Sequence, residues 1–479
     1  MLSLKNLTIL AGEKEKGIFP YKILEKNLKE NMCMEESMFN NEEDFKNFIK
    51  IYGKVINTYE VLEIYCKNDA QITKKSILKY WSIIEEGGLC KTNKILTAAR
   101  LSVENYFQNN KMIKKKIPLK YDRILRPYYF GGRTEVFGNQ NENEISLHYD
   151  WSGMYAQCMS EKILGGEIVS SEYINSIKDP GFYYIKFKQN MEIPVLPIKK
   201  VKLLFANGEF EGWYWFEEIL LAIEEGVEII KISRIISSQY YDYFMRDFIN
   251  KNNEIRKKGG LYKQIGKNNN NTLYGRLGMN PLRWEEEITN KIENWNNYEK
   301  IIEINGLFLG YKRTEKKISN ILIAAQITSK ARIKLYKGIK EVINNGGRIL
   351  YTDTDSIIAA FNKDKYLTVL DKMMGEVYFD SKKEDTIIID AVFAMPKTYA
   401  LKFKNGEEIV KIKGFNVKPN YIKFKEIFYE RGKITTINKE WSKKDFNIKL
   451  WEKSKTTSLA GLNKREWLEN LKETKPISF

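Results

Sequence analysis

The stretch YTDTDSII, Tyr351 to Ile358, constrains the chain more than any other. Ile349, Leu350 and Tyr351 run into a short polar turn, and the chain leaves it through Ile357 and Ile358. That is the pattern of a strand, a turn and a second strand. The turn carries two aspartates one residue apart, Asp353 and Asp355. Like charges this close repel in a half-buried site, so the hairpin needs positive charge from elsewhere. Taken alone, such an acidic turn is more often a solvated loop than a metal site.

A second strand supplies a third carboxylate. EISLHYD alternates, with Ile145, Leu147 and Tyr149 on one face and Ser146, His148 and Asp150 on the other. The alternation predicts a half-buried strand that delivers Asp150 to its carboxyl end. In the following WSGMYAQCM, Gly153 permits a sharp turn into a helix. If this strand neighbours the acidic hairpin, three carboxylates converge on one sheet edge. Mg²⁺ suits such an edge, because it takes one or two carboxylates together with substrate phosphates. Two such ions can clamp the attacking and leaving oxygens of an in-line phosphoryl transfer.

The cationic half of the pattern lies upstream of the hairpin. In LYKQIGKNNNNTLYGRLG, Lys263, Lys267 and Asn271 recur every four residues, and Tyr274 and Gly275 follow one turn later. The spacing predicts one helical face. A row of cations there can neutralise a triphosphate, and a flat aromatic can underlie a base. An ordinary solvated basic helix would read the same way, and the four asparagines at 268–271 are poor helix formers. A basic helical segment is expected over residues 244–274.

Charge and composition narrow the function classes. Lys and Arg outnumber Asp and Glu by 79 to 62, a formal charge of +17, which favours a polyanionic partner such as nucleic acid or an anionic membrane surface. His148 is the single histidine, so chemistry built on several histidines is nearly excluded. The four cysteines, Cys33, Cys66, Cys90 and Cys158, form no CxxC pair, which argues against a zinc site or a disulfide framework. No run approaches the roughly 18 apolar residues of a membrane helix. The first residues carry neither a secretory nor a transit pattern.

In this order the motifs resemble the family B DNA polymerases, and within them the protein-primed branch of phages and linear plasmids. YTDTDS matches the family's YxDTDS. DWSGMYA, Asp150 to Ala156, is similar to DxxSLYP, and KNNNNTLYG, Lys267 to Gly275, to KxxxNSxYG. PKTYALK puts Lys397 and Tyr399 on the KxY motif, and YFGG, Tyr129 to Gly132, resembles the YxGG linker element. IAAQITSKARI before the hairpin and LNKR near the end also look like this branch.

The resemblance implies an α+β fold of the right-hand polymerase type, with palm, fingers and thumb following a remnant of an exonuclease domain. The remnant would span 1–118 and the linker 119–140. The palm would span 141–400, with inserted strands and with fingers at 250–282. A thumb or C-terminal DNA-binding region would span 401–479. The implied activity is that of a DNA-directed DNA polymerase, a nucleotidyltransferase using two Mg²⁺ ions, with Mn²⁺ able to substitute.

Residue by residue, the resemblance makes Asp150 and Asp355 the direct metal ligands and Asp353 their support. Lys263 and Lys267 would contact the triphosphate, and Asn271 and Tyr274 would line the nucleotide pocket. Tyr155 would lie beneath the sugar, where an added 2′-hydroxyl has no room; from spacing alone a core aromatic is the simpler reading. Lys397 and Tyr399 would hold primer-strand phosphates, and Tyr129, Gly131 and Gly132 would contact DNA. The implied partners are primer-template DNA, dNTPs and a terminal protein acting as primer, with no membrane. The implied setting is the mitochondrion, through an organellar genome or linear plasmid, with phage or bacterial cytoplasm as the alternative.

The chain departs from the family pattern in places. Gly153, Met154 and Ala156 stand where Ser, Leu and Pro are usual, and Thr272 replaces a Ser. None of these removes a charge. KGIFPY, Lys16 to Tyr21, and YCKNDA, with Tyr65 and Asp69 on the YxxxD pattern, resemble exonuclease segments. Before Asp69, however, the sole aspartate is Asp44 and no D-x-E occurs. The expectation is a chain without proofreading, as a fragment or a truncated gene, with Asp69 structural. The competing readings are a catalytically silent DNA-binding remnant and an RNA-copying polymerase; the latter carries a YxDD-like turn, which Thr354 interrupts here.

Overall fold

A computed structural model of the chain describes residues 19–20, 28–39, 41–86, 97–172, 174, 176–289, 298–304, 307–315, 318–364, 387–415, 418–444, 447–459 and 464–479. Most of KGIFPY, Cys90 and the first half of LNKR fall outside these residues. The chain divides into two compact units, residues 1–109 with 250–272, and residues 110–249 with 273–479.

The first unit is largely helical. In the helix Glu42–Tyr52 the Asn41 side chain accepts from the Asp44 N–H, and Glu42, Glu43 and Asp44 fill the first turn, where helix-dipole and capping effects favour acids. Phe48 from this helix packs with Met34, Phe39, Val61 and Tyr65. Thr58–Glu86 follows as one long helix, and its end joins Leu101, Leu261 and Ile265 in a second small core.

The basic segment is not one helix but two, Arg246–Lys257 and Gly260–Leu277. The break falls at Gly259 and Gly260, with φ of 76° and 49°, a left-handed backbone that glycine adopts without a Cβ penalty. The asparagine run stays helical because tertiary bonds outweigh its weak propensity. Asn269 and Asn270 are buried, and their side-chain amides donate to Asn252 at 3.0 Å and Asn253 at 3.1 Å. Ser102 Oγ donates to the Asn269 carbonyl at 2.6 Å.

The second unit is built on a seven-stranded antiparallel sheet. Its strands are β1 (Thr134–Val136), β2 (Glu144–Asp150), β3 (Arg348–Asp353), β4 (Ser356–Asn362), β5 (Ile388–Met395), β6 (Thr398–Phe403) and β7 (Glu408–Lys411), in the order β7-β6-β5-β2-β4-β3-β1. Four helices matter below: α1 (Met154–Ser160), α2 (Phe216–Glu224), α3 (Gly260–Leu277, shared by the two units) and α4 (Ile321–Asn344). One sheet face carries Val136, Leu350, Tyr351, Ile358, Ile388, Phe393 and Leu401 in a continuous core.

Helix α4 is buried along most of its length, and Asn320 caps it by accepting from the Ile323 N–H. Gly338 on α4 makes room for the Trp151 indole; a Cβ there would lie 2.3 Å from the ring. That close approach holds the residue after Asp150 against the helix. A four-stranded sheet, ordered Ile163–Glu172, Glu228–Asp242, Phe182–Gln189 and Gly208–Trp215, packs with α2 around Tyr183, Ile185, Phe187, Tyr214 and Ile219. The C-terminal part adds the helix Tyr421–Tyr429 and the long hairpin Lys433–Lys444 with Asn447–Ser458. Among the described residues no helix is long and apolar enough to cross a membrane.

Candidate active site

Strand pairing brings the acids together. β4 pairs antiparallel with β2, so Ser356 lies opposite Asp150, and β3 leads into the same turn through Asp353. The Trp151 N–H donates to the Asp355 carbonyl at 2.9 Å, which ties the end of β2 to the hairpin. Asp150, Asp353 and Asp355 therefore share one edge of the sheet. The strand EISLHYD buries Ile145, Leu147 and Tyr149 and exposes His148 and Asp150, while Ser146 is buried through a hydrogen bond to Gln140 Oε1. Gly153, at φ 71°, opens α1 and carries Tyr155 away from the strand end.

The three carboxylates are not equivalent. Asp353 is already partnered: Lys397 Nζ donates to its oxygens at 2.9 and 3.0 Å, and Thr134 Oγ1 donates at 3.0 Å. Among the described residues no ion pair is formed by Asp355. Burial first, and then the charge of Asp150, push its carboxyl from 3.8 up to about 6, with Asp353 adding to the rise and Lys397 opposing it. Among the described residues no three His, Cys, Asp or Glu side chains gather closely enough to cage a metal. All three carboxylates expected at this edge lie there, and they differ in partnering: Lys397 and Thr134 engage Asp353.

A donor set of this kind fits a hard divalent cation. Mg²⁺ takes one or two carboxylates and completes its shell with waters and phosphate oxygens, so a full protein cage is not required. Burial first, and then the neighbouring acids, disfavour the charged Asp355, and a bound cation would offset both.

Beside this edge stand two tyrosines. The rings of Tyr155 and Tyr274 stack with centroids 4.2 Å apart and planes 16° from parallel. Burial and the neighbouring Tyr274 push the Tyr155 hydroxyl well above its ordinary range, and burial raises Tyr274 likewise. Asp355 also raises both, which places the tyrosine pair within electrostatic reach of the carboxylate. Both hydroxyls stay neutral and available as hydrogen-bonding groups.

The remaining sequence-predicted residues are distributed as follows. Lys263, Lys267 and Asn271 are all exposed on α3, opposite the buried Leu261, Ile265 and Asn269, and belong to the first unit. Tyr129 packs against Gly278, where a Cβ would lie 2.8 Å from its hydroxyl, and burial pushes that hydroxyl up to about 12. Gly131 is exposed and Gly132 half-buried. Lys397 sits at φ 63° in the β5–β6 turn, with its ammonium engaged by Asp353 and its N–H donating to Tyr351 Oη at 3.0 Å. Tyr399 lies against Tyr351 and Phe393, with Lys411 Nζ 5.5 Å from its ring centre.

Sequence reading missed Thr134, whose hydroxyl bonds Asp353, and Arg332, which is buried and holds the linker. Arg332 donates to Glu218 with two bonds of 2.7 Å and to the carbonyls of Phe130 at 2.7 Å and Gly131 at 3.2 Å. The signal for Arg332 was present in IAAQITSKARI, where Lys330 and Arg332 stand two residues apart on a helix that begins with the apolar run ILIAA. Nothing local marked Thr134.

The family model described as DNA polymerase type B, organellar and viral, matches residues 4–344. A probable DNA polymerase of Podospora anserina is 25% identical over 89% of this chain, and the DNA-directed DNA polymerase of Enterobacteria phage PRD1 is 26% identical over 64%. The chain spans 40% and 55% of the lengths of those two relatives. Among solved structures, the phi29 DNA polymerase complexed with primer-template DNA and incoming nucleotides superposes with a TM-score of 0.65 at 18% identity. That match covers 96% of this chain and 78% of the phi29 chain, and the two share a fold.

Proposed function

The chain belongs to the type B DNA polymerases of the organellar and viral kind, and we propose that it joins dNTPs to a primer 3′-OH on a DNA template at the Asp150–Asp355 edge. The observation that carries this reading is the pair of carboxylates, Asp150 and Asp355, at adjoining strand ends beside a stacked tyrosine pair.

Asp150 and Asp355 would hold the divalent cations, Mg²⁺ or Mn²⁺. Bound there, the cations supply charge stabilisation to the oxygens of an in-line phosphoryl transfer. The chain's own residues do the rest. Asp353, neutralised by Lys397 and Thr134, fixes the turn without competing for the ion. Tyr155 and Tyr274 offer a flat apolar surface beneath the sugar and exclude a 2′-hydroxyl. By their place in the motif, Lys263 and Lys267 take the triphosphate and Asn271 the nucleotide. Lys397, Tyr399, Tyr129, Gly131 and Gly132 take the primer-template backbone, in contacts that position rather than specify. No histidine base enters this scheme, which suits a chain whose single histidine, His148, lies exposed on β2.

Proofreading is not expected from these 479 residues. Tyr65 and Asp69 lie on one helix, and before Asp69 the sequence holds one other aspartate, Asp44, and no D-x-E. A terminal protein as primer, and a linear plasmid or organellar genome as template, suit the family and the Podospora relative. A phage or bacterial setting suits the PRD1 relative.

The test is extension of a labelled primer on templates differing in the first unpaired base, with Mg²⁺ and single dNTPs. The reading predicts incorporation of the complementary nucleotide only. No incorporation with either Mg²⁺ or Mn²⁺ would leave a DNA-binding remnant as the better account.

A further inference from the structure

The glycine that ends YFGG lies directly against the acidic turn. A Cβ on Gly132 would lie 2.6 Å from Thr354 Cγ2 and 2.9 Å from both its Cβ and its Oγ1. Non-bonded carbons prefer roughly 3.5–4.0 Å, so no larger residue fits unless Thr354 moves. Thr354 is itself unusual. It is β-branched yet sits at φ 67°, where such residues are outliers. Across it the Asp355 N–H donates to the Asp353 carbonyl at 2.8 Å, a γ-turn with a left-handed centre, the rare and strained form.

Strain of this kind persists where the surroundings over-determine it, and here they do. The Thr354 N–H donates to the Arg133 carbonyl at 2.8 Å, and Thr134 both pairs with Asp353 in the sheet and bonds its carboxylate. The donating segment is anchored in turn. Arg332 holds the carbonyls of Phe130 and Gly131, while the buried Arg133 pairs with Glu135 and donates to the Pro194 carbonyl at 2.9 Å.

We infer that the segment Phe130–Thr134 is a template for the acidic turn, in which Gly132 leaves the space a left-handed Thr354 needs. The turn so held splays Asp353 toward Lys397 and leaves Asp355 beside Asp150. Gly132 is a positioning residue that acts through Thr354, over and above any contact it makes with DNA. Its neighbour Gly131 has no such role, since a Cβ there would meet nothing within 4 Å.

The inference rests on the proposed polymerase activity for its kinetic readout alone. The experiment is a double-mutant cycle of Gly132→Ala and Thr354→Gly in the full chain, read by melting temperature and by single-nucleotide incorporation. Gly132→Ala should lower the melting temperature and cut kcat by about tenfold or more, the scale of an overpacked site. Thr354→Gly removes the atoms in the way, so the double variant should recover the melting temperature and kcat of Thr354→Gly alone. Gly131→Ala should leave the melting temperature where it is.

A double variant as impaired as Gly132→Ala, or more so, would overturn the inference. So would a harmless Gly132→Ala, or a loss confined to primer-template affinity. Should the unaltered chain fail to extend primers, the polymerase reading falls, and the melting-temperature cycle still decides this one.

Discussion

Within the second unit two groups of charges are treated in opposite ways. Between α2 and α4, every buried charge has a partner. Arg332 meets Glu218 through two bonds, and Lys330 reaches Glu217 at 2.7 Å and Glu161 at 3.2 Å, with Lys334 on the other Glu161 oxygen. At the sheet edge, Asp353 has Lys397, but Asp355 faces Asp150 and is driven up toward neutrality. Paired charges hold the scaffold together. A like-charge surplus costs stability and persists where something outside the chain relieves it.

Predictions that break or sharpen this contrast run from large to small. Asp355→Asn should abolish primer extension, by on the order of 10³-fold, while leaving the fold intact, measured by single-turnover incorporation and circular dichroism. In the paired region the effect should fall on stability instead. Arg332→Ala strands a buried Glu218 and two carbonyls and should cost about 3–5 kcal/mol in chemical denaturation. Arg332→Met with Glu218→Leu should recover part of that loss, the share due to the stranded Glu218, while the Phe130 and Gly131 carbonyls still lack their donor.

The pH response separates the two regions further. In the metal-free chain Asp355 is protonated more readily when folded than when unfolded. This group's contribution is therefore fully present below pH 3.8, is lost as pH rises toward about 6, and stays level above that. Activity should run the other way and fall on acidification, with its midpoint below the metal-free value of about 6 because the cation competes with the proton; an incorporation–pH profile checks this. Lys397→Ala removes the one cation that lowers Asp355, so the acid limb should move to higher pH. Because that lysine is half exposed, its loss should change stability by less than about 1 kcal/mol.

How legible this was in the sequence depended on whether the determinant was local. The β2 alternation, the acidic hairpin and the glycine entry to α1 are set by period and turn chemistry, and all three form. The basic segment expected to be helical over 244–274 is helical, as two helices separated at Gly259 and Gly260. Whether the asparagine run could stay helical depended on buried amide bonds to Asn252 and Asn253, which no local rule reveals. At the site, the residue types were visible, but the unequal partnering of Asp353 and Asp355 was not. It depends on Thr134 and Lys397, more than 200 and more than 40 residues away in sequence. The fit of Gly132 against Thr354 was hidden for the same reason.

The central claim is that Asp150 and Asp355 carry an uncompensated charge whose relief is a divalent cation. Melting temperatures of the unaltered chain and Asp355→Asn at pH 7.5, with and without Mn²⁺, test it without relying on activity. Without metal the Asn variant should melt higher than the parent; with Mn²⁺ the parent should rise and the variant should not. A variant that melts below the parent without metal, or gains as much from Mn²⁺ as the parent does, would contradict the account.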